Sequence, residues 1–259
     1  MKRFSIDFST TMACVYRGEF EGYGGFLRPI MELERVEVAQ LVGIDEIIVA
    51  LRGNTQRFLD NAPASNVLLW GARGCGKSSS MRAILCEFLR CEDTLLRVVE
   101  LPKPSLAILP HLVDFLREQP YKFVIMCDDL CFGRGDESYK ALKSILDGGF
   151  EVQASNVVFY ATSNMRHLLL EEYAQDTMHL NDMQDEIISL SDRFGISMGF
   201  YTLGSGEYVA LIARYLGIES SVLDPTLRQK ALNYATQKGS KNPRIAKEFV
   251  KLYRNGLVL

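Results

Sequence analysis

From about residue 56 onward, short apolar runs alternate with segments whose apolar positions recur at helical spacing. Thr55–Asp60 closes a helical segment, and Asn61-Ala-Pro-Ala breaks it. Asn66-Val-Leu-Leu-Trp70 then reads as a short strand, followed at once by glycines. Ser78–Arg90 predicts a helix, with Met81, Ile84, Leu85 and Phe88 on one side. Further strands are expected at Leu95–Leu101, Phe123–Cys127, Asn156–Ala161 and Ile196–Tyr201, with helices at Leu106–Glu118 and Tyr139–Leu146. Strands apolar on both faces and alternating with helices predict a parallel sheet covered on both sides. The expectation is therefore an α/β, three-layer core around a five-stranded parallel sheet. After Thr202 the pattern turns helical, with segments at Glu207–Tyr215, Asp224–Thr236 and Pro243–Tyr253. The last has a clear start, because Asn242 can cap and Pro243 suits the first helical position.

The totals narrow the class. A chain of 259 residues, 47% hydrophobic and 24% charged, holds enough apolar material for one large domain, or one with a small companion. A net charge of −3 excludes a molecule-wide polycation of the kind that coats nucleic acid. No CxxC pair occurs among the six cysteines, and His111, His167 and His179 lack metal-ligand spacing, so the thiols read as reduced and incidental. The first residues lack the apolar core of a signal peptide, and no run nears the ~18 apolar residues of a membrane span. A cytoplasmic protein without membrane insertion is expected. Charge is uneven: residues 171–192 carry seven acids and no Lys or Arg, while residues 226–259 carry eight Lys or Arg against Glu248 alone. Runs like these are ordinarily solvated faces, but their opposite signs also fit a contact.

Chemistry concentrates at two strand ends. Gly71-Ala72-Arg73-Gly74-Cys75-Gly76-Lys77-Ser78 matches GxxxxGK[ST] at each fixed position, between an apolar strand and a helix. Glycines let backbone N–H groups curl around phosphate oxygens, and the helix start turns its positive dipole end toward them. In such a loop Lys77 neutralises the β- and γ-phosphates and Ser78 ligates Mg²⁺. The second strand end is Phe123-Val-Ile-Met-Cys-Asp128-Asp129. On a strand parallel to the first, Asp128 falls near the metal, and Asp129 can orient or deprotonate an attacking water.

These motifs resemble those of AAA+ ATPases, and more narrowly a bacterial family of AAA+ proteins grouped as a domain of unknown function. The matching segments are LVGID (41–45), NVLLWGARGCGKSS (66–79), FVIMCDDL (123–130), SYKALKSILDGG (138–149), YATSNMRHL (160–168), SLSDRFG (189–195) and GSKNPRIAKEFV (239–250), with LRPI (28–31) ahead of them. The resemblance implies that Leu41, Val42 and Gly43 line an adenine pocket, and that the loop through Ser78 and Ser79 holds ATP or ADP with Mg²⁺. It implies that Asn164 is a polar sensor of the γ-phosphate or the water. Arg193 becomes an arginine finger reaching a neighbouring subunit, and Arg244 a sensor on a helical lid. A surface salt bridge from Arg193 to Asp192 or Glu186 is the plainer alternative. The implied organisation is an N-terminal extension (1–33), a nucleotide-binding domain (34–203) and a lid (204–259).

Two departures qualify the resemblance. Asp128-Asp129 stands where AAA+ enzymes usually carry Asp-Glu, which implies slow hydrolysis. Pro102-Lys103-Pro104 lacks the aromatic with which translocating members grip substrate. The leading expectation is an ATPase, a homo-oligomer with a hexamer among the assemblies allowed, that remodels or loads a protein or nucleic-acid partner. An ATP-dependent binding switch is the alternative. A small-molecule kinase fits poorly, because no acceptor pocket is visible and the C-terminal third is helical.

Overall fold

A computed structural model describes residues 4–22, 24–34, 36–38, 41–133, 136–148, 152–168 and 188–257. The strands are β1 (Ala13–Arg17), β2 (Phe26–Pro29), β3 (Val67–Gly71), β4 (Leu96–Glu100), β5 (Lys122–Cys127), β6 (Val157–Ser163) and β7 (Ile196–Phe200). They form one seven-stranded sheet in the order β2-β1-β4-β5-β6-β3-β7. The β1–β4, β4–β5, β5–β6 and β6–β3 pairs are parallel, and β1–β2 is antiparallel. The expectation of five strands is thus corrected to seven: the segment before residue 34 supplies two, one of which inverts the direction at the edge. Ala13–Tyr16 are all buried. The run is too short to show a period, and its pairing partner β4 lies some eighty residues further along the chain.

Helices α1 (Asp45–Leu59), α2 (Lys77–Leu89), α3 (Leu109–Arg117), α4 (Tyr139–Asp147), α5 (Ser205–Leu216), α6 (Pro225–Gln237) and α7 (Pro243–Arg254) complete the regular structure. The helix expected over 106–118 is divided. A 3₁₀ turn occupies Lys103–Ile108, entered through Pro102 in extended conformation, and α3 follows with Pro110 in its first turn. That placement is natural for a residue without an N–H to donate.

Two compact units form, residues 1–70 with 78–198, and residues 71–77 with 199–259. In the first, the side chains of the central strands alternate between the two faces of the sheet. Phe123, Ile125 and Cys127 of β5 and Phe159 and Ala161 of β6 join Leu112 and Leu116 of α3 and Leu142 of α4 in one core. Tyr160 points the opposite way, where its hydroxyl meets Asn54 Nδ2 at 3.0 Å and Thr55 Oγ1 at 2.9 Å on α1. The N-terminal segment is held by Arg97, a buried cation on β4. Its Nε donates to Phe8 O at 2.6 Å, Nη1 donates to the Thr94 and Leu96 carbonyls, and the guanidinium lies 4.1 Å from the Tyr121 ring centre.

In the second unit, α5, α6 and α7 pack around Tyr208, Ile212, Ala231, Ala246 and Phe249, all buried. Asn242 caps α7 as its sequence predicts, accepting from Ile245 N–H at 3.0 Å. Asp224 caps α6 in the same way, accepting from Leu227 N–H at 3.0 Å.

Candidate functional site

In the first unit the candidate chemistry collects where β5 and β6 end. Parallel pairing sets Cys127 opposite Ala161, so the next residues along, Asp128 and Thr162, come together. Asp128 Oδ1 accepts from Ser78 Oγ at 2.5 Å and also from Thr162 Oγ1. Its Oδ2 lies 3.3 Å from Nη2 of Arg82, whose Nη1 is 3.4 Å from Glu34. Ser78 and Asp128, the two residues expected to serve the metal, are therefore in contact. A hydroxyl and one or two carboxylates suit Mg²⁺, which keeps several waters and takes its remaining ligands from phosphate.

Asp129 has φ of 54°, in the left-handed region. Its N–H donates to Thr162 Oγ1 at 3.0 Å, and its Oδ1 accepts from Asn164 Nδ2 at 2.9 Å. Asp tolerates this backbone region better than most residues, because its short polar side chain can bond locally. The geometry thus gives a physical reason for Asp at this position instead of the longer Glu. The expected base and the expected sensor are neighbours. Thr162, which sequence reasoning passed over, is the hub: fully buried, it donates to one aspartate and accepts from the backbone of the next. Its only sequence signal was its place in YATSNM, two residues ahead of Asn164.

Arg193 is exposed, and its Nε lies 2.8 Å from Asp147 Oδ1 at the end of α4, a different acid from the two that sequence singled out. Leu41–Gly43 lies just ahead of α1, with Leu41 N–H donating to Val38 O at 2.9 Å and Gly43 at φ 73°. Of the acidic run 171–192, residues through 187 lie outside the described residues, including Glu186.

The second unit contains the loop Gly71–Lys77 itself. Gly71 (φ 122°) has no room for a side chain, since a Cβ would stand 2.1 Å from Phe200 O. Ala72 N–H donates to that same carbonyl at 3.0 Å. Gly74 and Gly76 take φ of 77° and 105°, values that L side chains rarely adopt. Lys77 is buried to 6% exposure, and its Nζ donates to Gly71 O at 2.8 Å and Ala72 O at 3.0 Å. A buried ammonium on a loop of positive-φ glycines at a helix start has the composition of an anion cradle. Burial raises the Cys75 thiol above its ordinary pKa, with Lys77 partly offsetting the rise. Arg244 is exposed in the first turn of α7, and its own N–H donates to Gly74 O at 3.3 Å. Ser79 follows Ser78 on α2, partly buried.

The strand order and the glycine loop between β3 and α2 define a P-loop NTPase core of the AAA+ type. Solved structures share this fold. The Thermotoga maritima RuvB Holliday junction branch migration motor matches with a TM-score of 0.55 at 16% identity, over 85% of this chain and 64% of that one. Aeropyrum pernix ORC1, solved in complex with DNA, matches with a TM-score of 0.57 at 14% identity, over 82% and 58%. ORC2 of the same organism, solved as ADPNP–ADP complexes, matches with a TM-score of 0.54 at 15% identity, over 85% and 64%. The chain spans less than two thirds of each of these proteins, and identities this low speak to fold alone. No curated protein matches the sequence. The chain belongs to the family described as "Protein of unknown function (DUF815)", whose model matches residues 9–257.

Proposed function

We propose that this protein binds ATP or ADP with Mg²⁺ and hydrolyses ATP slowly, using the cycle to remodel or load a macromolecular partner. The observation that carries the reading is the complete GxxxxGKS motif, whose last residue, Ser78, bonds the Asp128 carboxylate through its hydroxyl at 2.5 Å. In this reading the loop amides and Lys77 take the phosphates, and Ser78 and Asp128 serve the metal. Asp129 orients and deprotonates the water. Asn164 holds Asp129 and contacts the γ-phosphate side of the reaction, and Leu41–Gly43 borders the adenine. Arg244 meets the phosphates from the first turn of α7, where the helix dipole favours an anion. Residues 34–203 act as the nucleotide domain and 204–259 as its lid. The RuvB Holliday junction branch migration motor and the ORC1 protein in complex with DNA make nucleic acid a candidate partner alongside protein.

A second reading, an ATP-dependent binding switch, is favoured by one feature. Asp129 reaches one methylene less than Glu would, and one of its oxygens is engaged by Asn164. Both readings require nucleotide binding, and turnover separates them. Calorimetry with Mg-ATP should show binding to the wild type and none, or severe weakening, in Lys77→Ala, because phosphate would lose a desolvated ion-pair partner. Asp129→Asn should retain binding and lose phosphate release. Near-wild-type affinity in Lys77→Ala would remove the basis of the proposal.

A further inference from the structure

The start of α7 does more than end a turn. Asn242 is 6% exposed and makes three hydrogen bonds: its Oδ1 accepts from Ile245 N–H at 3.0 Å, while its Nδ2 donates to Arg73 O at 3.1 Å and to Ser240 Oγ at 3.1 Å. One position further along the loop, Arg244 N–H donates to Gly74 O at 3.3 Å. Two successive carbonyls of the glycine loop are therefore held by one helix start. The fit is tight, since a Cβ on Gly74 would stand 2.8 Å from Asn242 Nδ2.

We propose that Asn242 is a positioning residue that sets the phosphate-binding loop in its anion-accepting orientation through the Arg73 and Gly74 carbonyls. Planarity supplies the physical link. In a trans peptide the C=O of one residue and the N–H of the next point in opposite directions within one rigid plane. Holding Arg73 O turns the Gly74 N–H away from α7, and holding Gly74 O does the same for the Cys75 N–H. Both amides belong to the GxxxxGKS loop, whose amides are the donors to phosphate. Glycines at Gly74 and Gly76 make these planes soft, because their left-handed φ values are matched by many other accessible conformations. A soft loop must lose that freedom on binding an anion unless something has already removed it, and preorganisation raises affinity by that difference. Asn at this position serves both tasks at once: its carbonyl oxygen caps the helix and its amide nitrogen reaches the loop. Ser caps about as well but is too short to reach Arg73.

This inference rests on the nucleotide-binding reading above, and the test separates the two. Asn242→Ser and Asn242→Ala are compared with wild type by thermal denaturation without nucleotide and by calorimetry with Mg-ADP. Amide hydrogen exchange at Gly74 and Cys75 is measured in the nucleotide-free protein. Asn242→Ser should keep the wild-type melting temperature, bind ADP about three- to tenfold more weakly, the worth of one net hydrogen bond, and exchange faster at both amides. Asn242→Ala should lose melting temperature as well, since the cap goes with the loop contact. Wild-type ADP affinity in Asn242→Ser overturns the inference. So does a parallel fall of melting temperature and affinity in that variant, which would make Asn242 a structural cap alone. Failure of the wild-type protein to bind ADP or ATP would instead overturn the nucleotide-binding reading and this inference with it.

Discussion

Thr162→Val isolates the polar hub at the strand ends with almost no change of shape. The hydroxyl is fully buried, donates to Asp128 Oδ1 and accepts from Asp129 N–H at 3.0 Å. Valine keeps the volume and the β-branched fit to β6, so the packing contribution should stay nearly constant. The donor to a carboxylate is worth about 1.5–3 kcal/mol, and the stranded amide of Asp129 adds about 1 kcal/mol or more. A total of about 2.5–4 kcal/mol follows, or roughly 5–16 °C in melting temperature for a chain of this size. Urea denaturation followed by the single tryptophan, Trp70, reads the loss directly. Thr162→Ser should recover most of it, because only a methyl group is removed. A loss below about 0.5 kcal/mol in Thr162→Val, within the range of an ordinary surface substitution, would mean that the hydroxyl bridge between the two aspartates is not made.

Two buried tyrosines should respond with opposite signs. Tyr160→Phe removes two buried hydrogen bonds, to Asn54 and Thr55, which keep Ser65 and Leu51 as partners, and should destabilise by about 1–3 kcal/mol, whereas Tyr208→Phe should be neutral or stabilising in the same denaturation assay. Among the described residues Tyr208 Oη has no hydrogen-bond partner, and burial pushes its pKa up to about 12. Thiol labelling under native conditions should mark exposed Cys91 first, while Cys14 stays protected up to about pH 9, since burial pushes its thiol up to about 12 and the thiolate is the reactive form. Peptide mapping that finds Cys14 modified in the folded protein would contradict its burial. If active sites are shared between subunits, Arg193→Ala and Lys77→Ala, each inactive alone, should regain partial ATPase activity when mixed. Confirmed mixed oligomers without activity would return Arg193 to its observed role as a salt-bridge partner of Asp147, a surface pair worth about 0–1 kcal/mol.

Local rules made part of this molecule readable in advance. The β3–loop–α2 passage combines an apolar run, glycines at left-handed φ and a helical period, all within about twenty residues. Asn242 and Pro243 announce the start of α7 by capping chemistry that needs no partner outside the helix. What escaped prediction depended on distant pairing. The first strand is tied into the sheet between its antiparallel neighbour β2 and the distant parallel partner β4, with Val98 N–H donating to Met12 O at 3.0 Å. Likewise Asn242 could be read as a cap, but its bond to Arg73 joins residues 169 positions apart.

The site divides along the same line. The aspartates were visible because an apolar strand ending in two carboxylates after a P-loop is a local pattern. The identity of their neighbour was not, because it is a question of register. With Cys127 opposite Ala161, Asp128 meets Thr162. A slip of one residue would place Ser163 or Ala161 there and turn every side chain of β6 to the other face. Such a slip is strongly opposed: Phe159 would leave the core shared with Phe194, and Tyr160 would abandon its two partners on α1. The hydrophobic and polar contacts that lie well away from the strand ends therefore decide which hydroxyl touches the Asp128 carboxylate. For the same reason a substitution such as Tyr160→Phe, though remote from the aspartates in sequence, acts on the element that positions Thr162.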